Sequence, residues 1–152
     1  MHTTIRLARL SCVAAVAVSV FSLAAPLEAQ GGKQVINPSG RGGVLSPAIR
    51  VGNLVFSSGQ LGAATDTTIE AQTASALTNV KNVLEAAGTN MDNVAKCTVF
   101  LVDVKDFAKM NESYGKFFPS DKGPPARSTV VVAALVRAGA KVEIECIAAM
   151  PK

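Results

Sequence analysis

The clearest periodicity in the chain lies between residues 67 and 88. Ala74, Leu77, Val80, Leu84 and Ala87 recur at helical spacing with the stem of Lys81 at the stripe edge, while Gln72, Ser75, Asn79, Asn82 and Glu85 take the other side. Thr67 with Glu70 fits a capping box, and Gly88 is the residue type that stops a helix. A second stripe, Phe107, Met110, Tyr114, Phe117 and Phe118, predicts a helix over about 104–118, begun at Asp103 or Asp106 and ended by Pro119. Both stripes read first as core-facing surfaces of structural helices.

Between and around these helices the pattern changes to strands. Ala95–Val102 is rich in β-branched and aromatic residues and predicts a strand covered on both faces. Residues 54–61 (LVFSSGQL) predict another, joined to 44–51 (VLSPAIRV) through the turn at Gly52-Asn53; Pro47 confines 44–51 to a sheet edge or a loop. Ser58 and Gly59 stand at the end of 54–61. They read either as a bulge or as a place where backbone N–H groups and a hydroxyl face a ligand. The last strand, 141–149, alternates strictly: Lys141, Glu143 and Glu145 on one side, Val142, Ile144, Cys146 and Ala148 on the other. The order β-β-α-β-α-β-β predicts an α+β fold, with two helices on one face of a mixed, largely antiparallel sheet.

One stretch is stiffer than the rest. Gly123-Pro124-Pro125 leads into Ala126-Arg127-Ser128-Thr129 and a strand reaching about Leu135. The proline pair excludes helix there. Arg127 is the only charge between Lys122 and Arg137. It is either a solvated strand-end charge or a forked cation aimed at a carboxylate or phosphate.

Composition narrows the classes. The chain has 152 residues, 49% of them apolar and 17% charged, which allows one domain with a real core. Arg6 and Arg9 precede an apolar run, 10–25, and small residues follow, so 1–29 is expected to be a secretory signal peptide removed on export to a periplasmic or extracellular site. The run is short for a spanning helix, so no membrane attachment is expected after cleavage. Residues 30–43 read as a flexible arm with at most a short edge strand at 34–36, and 44–152 as the folded domain. The net charge is +4, or +3 once Arg6, Arg9 and Glu28 are removed, and it is scattered, so no nucleic-acid partner is expected. His2, the single histidine, lies in the leader, which leaves no histidine triad or zinc set. Cys97 and Cys146 sit in strand-like runs and are expected as buried core thiols, with a bridge the less favoured alternative.

Four segments together resemble a known family. Ser57-Ser58-Gly59-Gln60 after a hairpin, Asn111 with Tyr114, Pro125-Ala126-Arg127-Ser128 opening a strand, and 142–148 (VEIECIA) match the Rid (YjgF) family in order and spacing. These are reactive-intermediate imine/enamine deaminases, once described as endoribonucleases. The resemblance covers about 44–150. It implies a homotrimer with clefts between subunits, and hydrolysis of 2-iminobutanoate- or 2-iminopropanoate-type acids to 2-oxo acids and ammonia without a cofactor or metal. It implies that Arg127 binds the substrate carboxylate and that Glu143 positions or activates water. Ser58, Gly59, Asn111 and Thr129 would line or support the cleft. Two positions depart from the pattern. Where the family's active members carry Gly-Pro-Tyr, this chain has Ser46-Pro47-Ala48, and Thr129 stands where cysteine is frequent. The alternatives are a non-catalytic trimer that binds small carboxylates and, third, an endoribonuclease.

Overall fold

The computed structural model describes residues 32–40 and 42–151; the expected leader over 1–29 lies outside the described residues. The elements are β1 (Gln34–Ile36), β2 (Ala48–Val51), β3 (Leu54–Ser57), β4 (Gln60–Leu61), α1 (Ile69–Ala86), β5 (Val94–Leu101), α2 (Phe107–Gly115), β6 (Ala126–Val131) and β7 (Val142–Ala149). The strands form one open mixed sheet in the order β1-β2-β3-β7-β5-β6, with β4 also paired to β7. Only β5 and β6 run parallel, and α2 lies in the crossover between them. Both helices pack on one face of the sheet, as the alternating pattern predicts.

α1 begins one residue later than its capping signal suggested. Thr68, not Thr67, is the cap, and its Oγ1 accepts from the Ala71 N–H. The buried stripe is rotated accordingly: Ile69, Gln72, Thr73, Ala76, Leu77, Val80, Val83 and Leu84 face inward, and Lys81 is on the outside. Burying each of the large aliphatic side chains contributes about 1.5–3 kcal/mol. Gln72, read as a surface residue, is 2% exposed. Its amide donates to the Asp66 and Gly139 carbonyls and accepts from the Lys141 N–H. A side chain that meets three backbone groups loses no hydrogen bond on burial, and a polar-versus-apolar pattern cannot register that compensation. Gly88 closes the helix at φ 85°.

α2 is shorter than its stripe. Val104–Asp106 forms a 3₁₀ turn capped by Asp103, whose side chain accepts from the Lys105 N–H. Met110, Tyr114 and Phe118 reach the core, while Phe107 is 42% exposed. β6 ends at Val131 rather than near Leu135.

Two expectations about β5 are corrected. The strand is covered on one face only: Cys97, Val99 and Leu101 are buried, whereas Lys96, Thr98 and Phe100 look away from the helices. The described residues supply a single helical layer, so among them the face bearing Leu54, Phe56, Phe100, Val130 and Ile147 has no cover. The two thiols, in turn, are joined as a Cys97–Cys146 disulfide. The register makes this possible. Cys97 stands directly opposite Cys146, and the Cys146 N–H is turned toward Ser57 Oγ on β3. The pair therefore exchanges no backbone hydrogen bond across β5–β7 and is of the close kind, with Cα atoms 4.1 Å apart.

Candidate functional site

Arg127 lies at the start of β6, the terminal strand of the sheet, beside Cys97 of β5. Because Cys97 faces the helices, Arg127 does too. The guanidinium carbon sits 4.6 Å from the centre of the Tyr114 ring and 6.0 Å from that of Phe107. Both distances allow a cation–π attraction. Among the described residues Arg127 has no ion pair, and its guanidinium lies near these two rings. Beside it opens a cavity of about 380 Å³ bounded by Asn111, Tyr114, Phe118, the Pro124-Pro125 pair and Arg127 itself. The proline pair thus forms a wall of the cavity as well as fixing the approach to β6. Burial pushes the Tyr114 phenol up to about 12, partly opposed by the Arg127 charge, so the ring stays neutral near pH 7.

Glu143 occupies the other side of the sheet. It alternates with the buried Val142 and Ile144 and pairs with Phe100 of β5 and Leu61 of β4. Its carboxylate hangs over Gly59. A Cβ at that position would fall 1.8 Å from Glu143 Oε1, so only glycine leaves the carboxylate where it is. Gly59 lies in a bulge: between the pairs Phe56–Ile147 and Gln60–Ile144, three residues of one edge oppose two of β7. Ser57 Oγ fills part of the gap by accepting the Cys146 N–H. Glu143 also borders a shallow hollow with Phe100, Val132 and Leu135.

The structure therefore divides the expected site into two groups. Arg127 and Asn111 line one cavity on the helix side, and Gly59 and Glu143 touch on the open side. Within one chain Arg127 and Glu143 do not share a cleft. Ser58 Oγ donates to the Ser46 carbonyl at 2.6 Å and the Ser58 N–H donates to Pro47, so both of its protons are held by the fold while the hydroxyl oxygen can still accept. It fastens the segment before β2 to the bulge. The side-chain oxygens of Asn111 (Oδ1), Tyr114 (Oη) and Thr129 (Oγ1) are buried without a hydrogen-bond partner among the described residues. The Thr129 hydroxyl thus points inward rather than into open space. Tyr114 and Phe107 were read as core residues only. A spacing of seven between them places both on one helix face, yet their common neighbour Arg127 is a tertiary fact that spacing does not carry.

Comparison with known proteins bears on the family and the fold. A family model described as Endoribonuclease L-PSP matches residues 39–150. The chain is 45% identical over 114 residues to Reactive Intermediate Deaminase A, chloroplastic, of Arabidopsis thaliana, covering 71% of this chain and 59% of that protein's length. It is equally identical, over 114 residues, to Protein DfrA of Myxococcus xanthus, covering 70% of this chain and 85% of that one. Among solved structures, E. coli TdcF with bound serine superposes with a TM-score of 0.70 at 34% identity, over 78% of this chain and 99% of that one. Matched across most of its described length in sequence and in fold, the chain belongs to the Rid (YjgF) family, the family of the Endoribonuclease L-PSP model.

Proposed function

We propose that the mature protein hydrolyses 2-imino and 2-enamino acids to 2-oxo acids and ammonia. The observation that carries this reading is Arg127: a guanidinium at the mouth of a cavity, resting on aromatic rings, with no acidic partner among the described residues. Such a cation suits a carboxylate, which it can grip with two parallel N–H bonds. The relatives support the choice of ligand, since one is named a reactive intermediate deaminase and another was solved with a bound amino acid.

The reaction asks little of the protein. The imine carbon is already electrophilic. Water adds to it, forming a C–O bond while the C=N pair moves to nitrogen. Glu143 takes the water proton and returns one to the nitrogen of the carbinolamine. The hydroxyl proton of the carbinolamine then passes through Glu143 to the amino nitrogen, its oxygen closes the C=O bond as the C–N bond breaks, and ammonia leaves the 2-oxo acid. A shuttle of this kind is worth roughly 10²–10⁴ in rate. Gly59 contributes by letting the Glu143 carboxylate lie against the backbone.

Arg127 and Glu143 face opposite sides of one sheet, and β6 is a terminal strand. The cleft is therefore built from Arg127 of one copy and Glu143 of a neighbouring copy, in a homotrimer whose packing covers the open sheet face. The leader-like segment and the Cys97–Cys146 disulfide favour an exported, oxidising location.

The test is ammonia release from an enamine generated in situ by an amino-acid oxidase. The wild type is expected to accelerate release over buffer, and Arg127→Ala to lose at least about tenfold in kcat/KM from the missing charge-assisted bonds. No acceleration by the wild type would overturn the reading. Thermal stabilisation by 2-oxo acids without turnover would select a carboxylate-binding module instead.

A further inference from the structure

We propose that Tyr114, assisted by Phe107, is the positioning residue of Arg127: an aromatic seat that holds the guanidinium plane before any ligand arrives. An arginine side chain loses several rotatable torsions when it is fixed, and a free one at a strand end sweeps a wide arc. Here the usual devices for fixing it are missing. No carboxylate pairs with Arg127 among the described residues. The Tyr114 face does this work at 4.6 Å, with Phe107 at 6.0 Å further along α2. A carboxylate at the same place would also hold the arginine, but it would compete with an anionic ligand. A neutral ring holds the face of the cation and leaves its N–H edge available.

The seat is itself fixed. Tyr114 is 5% exposed and its ring lies 4.8 Å from that of Phe118. Its phenol is driven to about 12, so it does not turn into an anion that would capture the arginine as an ion pair. Tyr114 does not touch the reacting atoms; it acts through Arg127. The ligand arm of the test below rests on the deaminase reading, and the spectroscopic arm does not.

Two measurements on the assembled protein decide the matter. The Arg127 Nε–Hε resonance of the wild type should show the upfield shift of a proton over an aromatic face, and slow local motion. Tyr114→Leu should return the shift toward that of a free arginine and loosen the side chain, and Tyr114→Phe should leave both near wild type. In calorimetric titration with 2-oxobutanoate, Tyr114→Leu should weaken binding roughly two- to thirtyfold, the range of a cation–π contact, and Tyr114→Phe less than about twofold. The loss from Tyr114→Leu should largely vanish in an Arg127→Ala background. Should Tyr114→Leu fail to fold, the exposed Phe107→Leu is expected to move the same resonance in the same direction by less. A resonance unmoved by these substitutions overturns the proposal, as does Tyr114→Phe matching the damage of Tyr114→Leu. If wild type binds no 2-oxo acid, the deaminase reading falls and the resonance still decides the seat.

Discussion

The two faces of the sheet are built to different standards. On the helix side nearly every position is committed. Gln72 satisfies three backbone groups, Ser57 Oγ bridges a bulge, and a disulfide joins β5 to β7. On the open side the surface is a mixture of aromatic, aliphatic and charged residues without a second layer among the described residues. Arg127 belongs to the first face and Glu143 to the second. Arg127 lies against rings of its own chain, and Glu143 lies against Gly59 and Phe100 of its own chain; if the proposed trimer forms, a neighbouring copy completes the cleft around the glutamate.

The largest expected effect tests this division directly. Arg127→Ala and Glu143→Gln should each lose about 10²-fold or more in kcat when assembled alone. Unfolded together and refolded as mixed trimers, the two inactive variants should regain up to about a quarter of wild-type activity, the share of clefts that draw an intact residue from each copy under random assembly. Absence of any recovery, with mixed trimers verified by mass, would place both residues of a site in one chain.

Stability should divide the same way. Replacing Cys97 and Cys146 together by alanine removes a cross-link spanning 49 residues of sequence, which should cost about 2–4 kcal/mol in denaturant unfolding and leave turnover at low temperature. Two glycines then sharpen the contrast at smaller cost. A Cβ on Gly62 would meet the backbone of Gln72 at 2.7 Å, so Gly62→Ala should destabilise by about 1–3 kcal/mol. The nearest atoms to a Cβ on Gly59 all belong to the Glu143 side chain rather than to backbone. Gly59→Ala should therefore shift Tm little and reduce kcat about tenfold or more by displacing the carboxylate. Equal losses of stability in both variants would break the comparison.

Much of this was legible in the sequence, and the limits have physical causes. Strict alternation in 142–149 assigned the faces of β7 correctly, because a period of two leaves no freedom. Arg127 and Glu143 are singled out by the order of four short segments as candidates only, and their placement on opposite faces needed the pairing of β6 with β5. The disulfide was missed for the same reason: two cysteines 49 residues apart carry no register until the strands are aligned. Gln72 and Phe107 show the two errors of a polarity pattern. One polar side chain is buried because three backbone groups satisfy it, and one aromatic, at the first residue of α2, stays 42% exposed although it falls on the stripe. Ser58 adds a detail the motif does not carry: its hydroxyl donates to the Ser46 carbonyl.

The smallest effect is silent at neutral pH and concerns the arginine's seat. The chain contains one tyrosine and no tryptophan, so absorbance near 295 nm titrates Tyr114 alone. An unfolded tyrosine ionises near pH 10, while burial lifts the folded value to about 12. The folded state thus favours the protonated phenol. Its contribution is fully present below pH 10 and is lost as pH rises from about 10 through 12, so stability should decline across that window. Tyr114→Phe should remove this part of the decline. The seat adds a second sign. Burial raises the phenol and the Arg127 charge lowers it, so Arg127→Met should move the folded midpoint further upward if the ring stays covered. A midpoint near 10 in the wild type would mean that the ring is open to water, and a downward shift in Arg127→Met would mean that the guanidinium does not rest on it.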